Sequence, residues 1–292
     1  LTNTTLANWF DRRLGLASGG MQLGMALAVA LVPAGAVSLI ATVGWRNAYL
    51  LMAAFFAVVL LPFLWLVYRE HPEAVGQLPD GERAPADSNA TSESRPPFAS
   101  HRQWSLDEAS QTRAFWILLS ATGAWALIGT GLVFHMEGLF VNRGLSTATA
   151  AWAPMFLAAG MASMQLFGGL LADRIAVRYL VIAAMTGVSA SCAVAAMAQG
   201  SMLMAAFAIY GCAQGLMTVL AGTAWARFFG RLHLGKIRGT ALTAAIASSS
   251  AGPLAMGVSV DYLGGFAPAL WFFALLAATL AIAGVWTRPP GE

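Results

Sequence analysis

Long apolar runs are the feature that most constrains how this sequence folds. A bilayer has a hydrocarbon core about 30 Å thick, which a helix of roughly 20 apolar residues crosses. Only 10% of the 292 residues are charged, too few to cover a water-soluble surface of this size. The sequence therefore predicts an all-α membrane protein with eight spanning helices, at residues 14–43, 46–68, 114–134, 150–172, 179–198, 202–226, 239–260 and 266–286.

The basic residues predict an orientation for these helices. Fourteen of the sixteen Lys and Arg residues fall in loops on one side, and Arg46 and Arg143 fall on the other. Lys and Arg accumulate in cytoplasmic loops. We therefore expect the basic side and the C-terminus to be cytoplasmic. The sequence pI of about 9.2 then reflects membrane topology and not binding to nucleic acid.

A polar segment divides the chain. Residues 69–113 are rich in Pro and Ser and contain eight of the thirteen carboxylates. This composition is typical of a linker, with residues 84–100 predicted to be disordered. The sequence "WSLDEASQTRAFW" at its end predicts a short amphipathic helix. We expect residues 1–68 to be the remainder of an N-terminal six-helix bundle and residues 114–292 to form a C-terminal one.

The two ends of the chain resemble each other, as the halves of two-bundle transporters do. In that register the second bundle begins near Ala114, so its counterpart would begin before Leu1. We therefore expect a truncated chain that lacks roughly three and a half of twelve helices, with the end of a fourth at its start. A shift of 220 residues aligns Gly15 with Gly235, Gly19 with Gly239, Pro33 with Pro253 and Gly44 with Gly264.

One loop carries a specific resemblance. The sequence "GGLLADRIAVR" is similar to the cytoplasmic motif G-x-x-x-D-R-x-G-x-R of the major facilitator superfamily, with Ala176 where the family usually has glycine. "PEAVGQLPDG", "FHMEGLFVNRGLSTATAAW" and "AGPLAMGVSVDYLGG" also resemble members of this family. The resemblance covers nearly the whole chain and looks most like the branch of monocarboxylate and oxalate–formate carriers. It implies major-facilitator-type helical bundles in a bacterial-type inner (plasma) membrane.

The motif residues Gly169, Asp173, Arg174 and Arg178 are predicted to form a cytoplasmic gate. A carboxylate near a helix N-terminus is stabilised by roughly 0.3–1 kcal/mol, and we expect Asp173 beside the helix that starts at Gly239. Arg174 and Arg178 are expected to bind carbonyls or carboxylates across the bundle interface. The alternative is that these are ordinary topology-setting charges.

Polar residues inside the apolar runs predict a substrate cavity between the bundles. Polar side chains are costly in lipid and therefore face the interior. Trp125, Gln214 and the serines 248–250 lie near mid-depth, and Gln165 lies in the cytoplasmic half. Helix–helix hydrogen bonding is the alternative role for such residues. The candidate cavity residues are Trp125, His135, Gln165, Gln214 and Ser249.

The sequence "VFHMEGLFVNRG" predicts a site at the outer boundary. His135 and Glu137 are two residues apart, about 200° around a helix, so they do not face one partner. We expect Glu137 to pair with Arg46 or Arg143 in an outer gate, with Asp261 nearby. His135 would then contact substrate or a proton at the cavity mouth. The alternative is that both are interfacial polar residues in water.

The resemblance implies a secondary active transporter that moves a small organic solute by alternating access. A monocarboxylate or other organic acid is the leading substrate, with protons as the candidate coupling ion. Efflux of amphipathic, drug-like compounds is the alternative, and a non-transporting membrane receptor carries less weight. No Lys or Arg lies in the middle of a run, so a strongly anionic substrate would need a cation from elsewhere. Without a metal-spaced cluster or a nucleophile–base set, we expect no enzymatic activity, metal or cofactor. The expected partners are the solute and membrane lipid.

Overall fold

The computed structural model describes residues 2–10, 13–67, 69, 103–150 and 152–290, and the regular secondary structure within these ranges is helical. This confirms the all-α prediction. The helices are α1 (Thr2–Trp9), α2 (Leu14–Phe55), α3 (Leu61–Val67), α4 (Leu106–Ser110), α5 (Arg113–Phe134), α6 (Met136–Val141), α7 (Thr147–Ala150), α8 (Ala153–Arg174), α9 (Val177–Met197), α10 (Met202–Phe229), α11 (Leu234–Leu263) and α12 (Ala267–Ala283). A π-helical turn, Phe56–Leu60, joins α2 to α3, and a 3-10 turn, Gly284–Trp286, follows α12.

Helices long and apolar enough to cross a membrane account for most of the described chain. Seven such segments occur within the described ranges, and they match seven of the eight predicted runs to within a few residues, apart from an earlier start at Ser38. The eighth predicted run, 14–43, lies within α2. The seven segments are Ser38–Leu66, Arg113–Phe134, Thr147–Arg174, Val177–Met197, Met202–Phe229, Leu234–Leu263 and Ala267–Trp286.

Gly44 divides α2 into two helices, as the predicted boundary between the first two runs requires. Its φ of 78° and ψ of 158° are not helical. Glycine adopts this conformation without the steric cost that a Cβ imposes. Gly264, which the internal repeat aligns with Gly44, also has a positive φ of 79° and ends α11. The two ends of the repeat therefore share a glycine that interrupts or ends a helix.

The helices pack in a chain of neighbours. Helix α8 lies between α2 and α10, α10 also packs against α9, and α9 packs against α12, while α5 pairs with α11. Their contacts bury large side chains such as Phe115, Phe207 and Phe273. By contrast, apolar side chains are exposed in α3 and in the part of α2 that follows Gly44, for example Trp65 and Leu50. Such a surface is stable only against lipid or further apolar helices.

The end of the 69–113 segment is held against the helical bundle. The predicted short helix is present as α4, which opens with a reciprocal capping box between Ser105 and Glu108. The side-chain oxygen Oε1 of Gln103 accepts hydrogen bonds from the backbone N–H groups of Arg231 (2.8 Å) and Leu232 (3.0 Å). These contacts fix this end of the segment to the loop between α10 and α11. The predicted disorder at residues 84–100 lies outside the described residues.

Candidate functional site

Asp173, at the end of α8, caps the N-terminus of α2. Its Oδ1 accepts from the N–H of Gly15 at 2.7 Å, and its Oδ2 accepts from the N–H of Leu16 at 3.0 Å. These first-turn N–H groups have no acceptor within their own helix. The prediction that Asp173 lies at the helix starting at Gly239 is wrong. The predicted internal repeat aligns Gly15 with Gly235, so Asp173 caps the helix that the repeat makes equivalent to the expected one.

Arg227 completes this contact from the last turn of α10. Its guanidinium forms an ion pair with Asp173, with an Nη2–Oδ1 distance of 2.7 Å, and donates to the carbonyl of Ala172. The Arg227 side chain is buried. The arginine that pairs with Asp173 is therefore Arg227, which was not predicted from the sequence. The available sequence signal was that Arg227 directly follows the predicted run 202–226, at the same side of the membrane as Asp173, whose carboxylate would be expected to pair with a cation.

Neither motif arginine takes part in this ion pair. Arg174 is exposed at the end of α8. Arg178 donates to the hydroxyl of Tyr179 at 3.0 Å and lies over the ring of the same tyrosine, 4.7 Å from its centroid. The predicted gating roles of both arginines stay predictions. We call this end of the bundle the basic end, defined by Arg113, Arg174, Arg178, Arg227 and Arg231.

The crossing of α2 and α8 at the basic end is close because it is lined with glycine. A Cβ added to Gly169 would lie 2.7 Å from the carbonyl oxygen of Gly15, and one added to Gly19 would overlap the carbonyl of Gln165. Gln165 is buried at this crossing with 3% of its surface exposed, and Gly215 of α10 packs against its backbone. Gln165 therefore lies at a three-helix contact and is not among the residues lining the cavity described next.

A cavity of about 690 Å³ lies between α5 and α10. It brings together two of the predicted residues, Trp125 and Gln214. Trp125 Nε1 and Gln214 Oε1 are buried and have no hydrogen-bond partner among the described residues. None of the lining side chains is charged, so the cavity wall is neutral and largely aromatic, and two of its residues each contain a buried polar atom without a partner in the described ranges. The lining residues are Trp125, Ala126, Gly129, Thr130, Val133, Phe134, Tyr210 and Gln214.

The cavity occupies the half of the bundle away from the basic end. Trp125 is twelve residues from the start of α5 at Arg113, about 18 Å along the helix, and Phe134 is its last residue. The cavity therefore runs from mid-depth toward the opposite end. Tyr210 and Thr130 were not predicted from the sequence, although both satisfy the criterion that selected Trp125, a side chain with a polar atom within an apolar run.

Ser249 contributes its backbone to the site. Its carbonyl oxygen lies 2.7 Å from the hydroxyl of Thr130, which lines the cavity. Its own hydroxyl donates to the carbonyl of Ile246 in the same helix, at 2.7 Å. The Ser249 side chain is therefore satisfied within α11 and does not line the cavity. Its predicted contact with substrate stays a prediction.

His135 ends α5 and packs between two aromatic rings. Its ring centroid lies 5.6 Å from those of Phe134 and Phe266, and its Nδ1 lies 3.3 Å from the carbonyl oxygen of Gly131. Phe134 lines the cavity, whereas the half-buried His135 does not. The predicted contact of His135 with substrate or a proton stays a prediction.

The predicted outer-gate residues lie apart from one another. Arg143 donates to the carbonyls of Ala195 and Ala196, in the last turn of α9, and burial lowers the pKa of Arg143. Arg46 lies over the ring of Trp45, 5.0 Å from its centroid. Within the described part of the chain, neither arginine forms an ion pair with Glu137. The side chains of Glu137 and Asp261 are both exposed. The outer gate stays a prediction, and Arg143 stabilises a helix C-terminus.

Comparison with known proteins identifies the family. A sequence model of the Major Facilitator Superfamily matches residues 1–162 and again residues 131–292. The crystal structure of a variant of the E. coli fucose:proton symporter, FucP, matches over 97% of this chain and 73% of that chain, with 18% identity and a TM-score of 0.67. No curated protein sequence matches significantly.

The chain belongs to the major facilitator superfamily, which confirms the resemblance of its loop motif. The fold likeness to the symporter confirms the predicted helical architecture. Membership of this family indicates an integral membrane transporter. The match to the monocarboxylate branch stays a prediction.

Proposed function

We propose that the protein is a secondary active transporter that moves a small organic acid together with a proton. The observation that carries this proposal is the neutral cavity in which Trp125 Nε1 and Gln214 Oε1 lack hydrogen-bond partners among the described residues. FucP, which is similar to this chain in fold, is a fucose:proton symporter, and this similarity also supports proton coupling.

The primary amide of Gln214 is complementary to a protonated carboxyl group. It presents an acceptor oxygen and two donor hydrogens side by side. The acid hydroxyl donates to Oε1, and the acid carbonyl accepts from the amide nitrogen or from Trp125 Nε1. An ionised carboxylate would face the amide oxygen with no cation on the cavity wall. An uncompensated buried charge costs several kcal/mol. The acid therefore binds here in its neutral form, which carries the proton with it.

The contacts at the two ends support alternating access. At the basic end Asp173 joins α8 to α2 and pairs with Arg227, whereas the cavity lies toward the opposite end. The distribution of Lys and Arg supports a cytoplasmic location for the basic end and the C-terminus, in a bacterial-type plasma membrane. Turnover then requires the Asp173 contacts to break, so that the cavity opens toward the cytoplasm.

Uptake into proteoliposomes tests the function. The full-length protein is reconstituted, and radiolabelled lactate serves as the first monocarboxylate. We expect an inward proton gradient to drive lactate above concentration equilibrium and a protonophore to abolish this accumulation. Gln214→Leu should reduce uptake, whereas Thr218→Val on the same helix should not, because the Thr218 hydroxyl is satisfied by the carbonyl of Gly215. Absence of gradient-stimulated uptake for any short monocarboxylate would contradict the proposal.

Efflux of amphipathic compounds is the second candidate, since Trp125, Phe134 and Tyr210 give the cavity large aromatic surfaces. Vesicles that extrude a lipophilic cation, with inhibition by unrelated lipophilic cations and no carboxylate transport, would replace the organic-acid proposal with this one.

A further inference from the structure

A second cavity, of about 310 Å³, lies at the basic end. It is formed where α9 begins and where the chain continues past α12. This second cavity lies at the opposite end from the cavity between α5 and α10 and shares no lining residue with it. The chemistry of the second cavity therefore needs a separate explanation. Its lining residues are Ala176, Val177, Arg178, Phe228, Thr287, Arg288 and Pro289.

The wall of this cavity is electropositive. Arg178 and Arg288 line it, and none of the lining residues carries a carboxylate. The first turn of α9 also faces it, with Ala176 at the N-cap, where no side chain caps the helix. Unsatisfied N–H groups and the helix dipole together make such a terminus attractive to an anion. The Arg178 bond to Tyr179 uses one of five guanidinium N–H groups, so donors remain.

Thr287 provides an independent indication of a ligand-binding site. Only 1% of its surface is exposed, and its Oγ1 has no hydrogen-bond partner among the described residues. A buried hydroxyl without a partner is destabilising. An oxygen acceptor in the cavity would satisfy the hydroxyl and lie beside the two arginines.

Neighbouring aromatic residues place this cavity at the membrane surface. Trp286 and Tyr179 are adjacent in sequence to Thr287 and Arg178, and they are 59% and 53% exposed. Exposed Trp and Tyr side chains of membrane proteins concentrate at the level of the lipid headgroups. A ligand in this cavity would thus lie at headgroup depth.

We propose that this cavity binds a phosphate group. The phosphate oxygens accept from Arg178, Arg288, Thr287 and the first-turn N–H groups of α9. Arginine pairs with phosphate in a bidentate geometry, which adds specificity to the charge attraction. An anionic phospholipid headgroup and free phosphate present the same chemistry, and the experiment separates these two sources.

Lipid retention tests the proposal. The full-length protein is placed in nanodiscs of phosphatidylcholine containing phosphatidylglycerol, and native mass spectrometry counts the anionic lipids that stay bound. We expect Arg288→Gln and Thr287→Val each to weaken retention, by about tenfold for the arginine. Lys236→Gln is the matched control, because it removes an exposed positive charge from the same end but outside the cavity.

Inorganic phosphate distinguishes the sources. In discs of phosphatidylcholine alone, a rise in thermal stability with millimolar phosphate, lost in Arg288→Gln, would assign the site to soluble phosphate. Retained phosphatidylglycerol that millimolar phosphate does not displace would assign it to lipid. The proposal is overturned if neither ligand binds, or if Lys236→Gln loses as much binding as Arg288→Gln.

Discussion

The hydroxyl of Thr130 in α5 lies 2.7 Å from the carbonyl oxygen of Ser249 in α11. That carbonyl has no helical partner, because Pro253, four residues later, lacks an N–H. The same hydroxyl lies 2.8 Å from the carbonyl of Ala126 in its own helix. Thr130 therefore supplies the hydrogen bond that the proline removes, and it joins α5 to α11 at the wall of the cavity between α5 and α10.

Thr130→Val should lower the free energy of unfolding by about 0.5–1.5 kcal/mol, since it leaves the Ser249 carbonyl without a donor. Thermal unfolding of the purified protein measures this change. Thr279→Val is the control, because the Thr279 hydroxyl is exposed and bonds only within α12. In a Pro253→Ala background the helix supplies the missing N–H, so the Thr130→Val effect should disappear. An equal effect in both backgrounds would refute this role.

Asp173→Asn should destabilise the closed basic end, by about 1–2 kcal/mol, because it removes the charge that pairs with buried Arg227 and caps α2. Thermal unfolding measures the loss. The distance between spin labels at the basic ends of α2 and α8 should also widen. Asp261→Asn removes an exposed carboxylate and serves as the control. An Asp173→Asn protein with unchanged distance and stability would contradict the capping role.

Gly19→Ala should separate α2 from α8, because its Cβ would overlap the carbonyl of Gln165. We expect lower thermal stability and slower uptake. Gly20→Ala tests the same substitution one residue further along α2, where nothing lies within 4 Å of the added Cβ. That variant should be neutral or gain up to about 1 kcal/mol from helix propensity. Similar losses in both variants would show that the glycine contact is not the cause.

Arg143→Gln should lower stability by about 1–2 kcal/mol, because the last carbonyls of α9 lose a charged donor. Arg46→Gln should change unfolding by less than about 0.5 kcal/mol, since that side chain is exposed. Thermal unfolding separates these effects from gating. A loss of uptake at unchanged stability, shared by Arg143→Gln and Glu137→Gln, would instead support the outer gate.

The membrane-spanning helices were predictable because hydropathy indicates where a chain crosses the bilayer. The break at Gly44 was also predictable, because it falls between the apolar runs 14–43 and 46–68. The partner of Asp173 was not predictable. It depends on how the two halves of the repeat oppose each other, and sequence spacing does not encode that arrangement. The partner cation, Arg227, lies 54 residues from Asp173 in the sequence, so the loop motif itself does not contain it.

The cavity residues show a second limit. Gln165 and Gln214 both lie in apolar runs, yet only Gln214 lines the cavity. A helix that is apolar on all sides has no polar stripe to show which face meets a cavity and which meets another helix. His135 and Ser249 illustrate the same difficulty. The His135 ring packs against Phe266, and the Ser249 carbonyl accepts from Thr130, and both neighbours come from distant parts of the sequence.

The most direct test of the central claim measures how lactate and its uncharged amide, lactamide, inhibit uptake of labelled lactate as pH changes. The neutral fraction of a carboxylic acid falls about tenfold per pH unit above its pKa. We predict that the inhibition constant of lactate rises by about tenfold for each pH unit above the pKa of lactic acid, while the inhibition constant of lactamide stays constant. Gln214→Leu should weaken both inhibitors, and Thr218→Val neither. Lactamide that does not inhibit, with a lactate inhibition constant independent of pH, would contradict binding of the neutral acid.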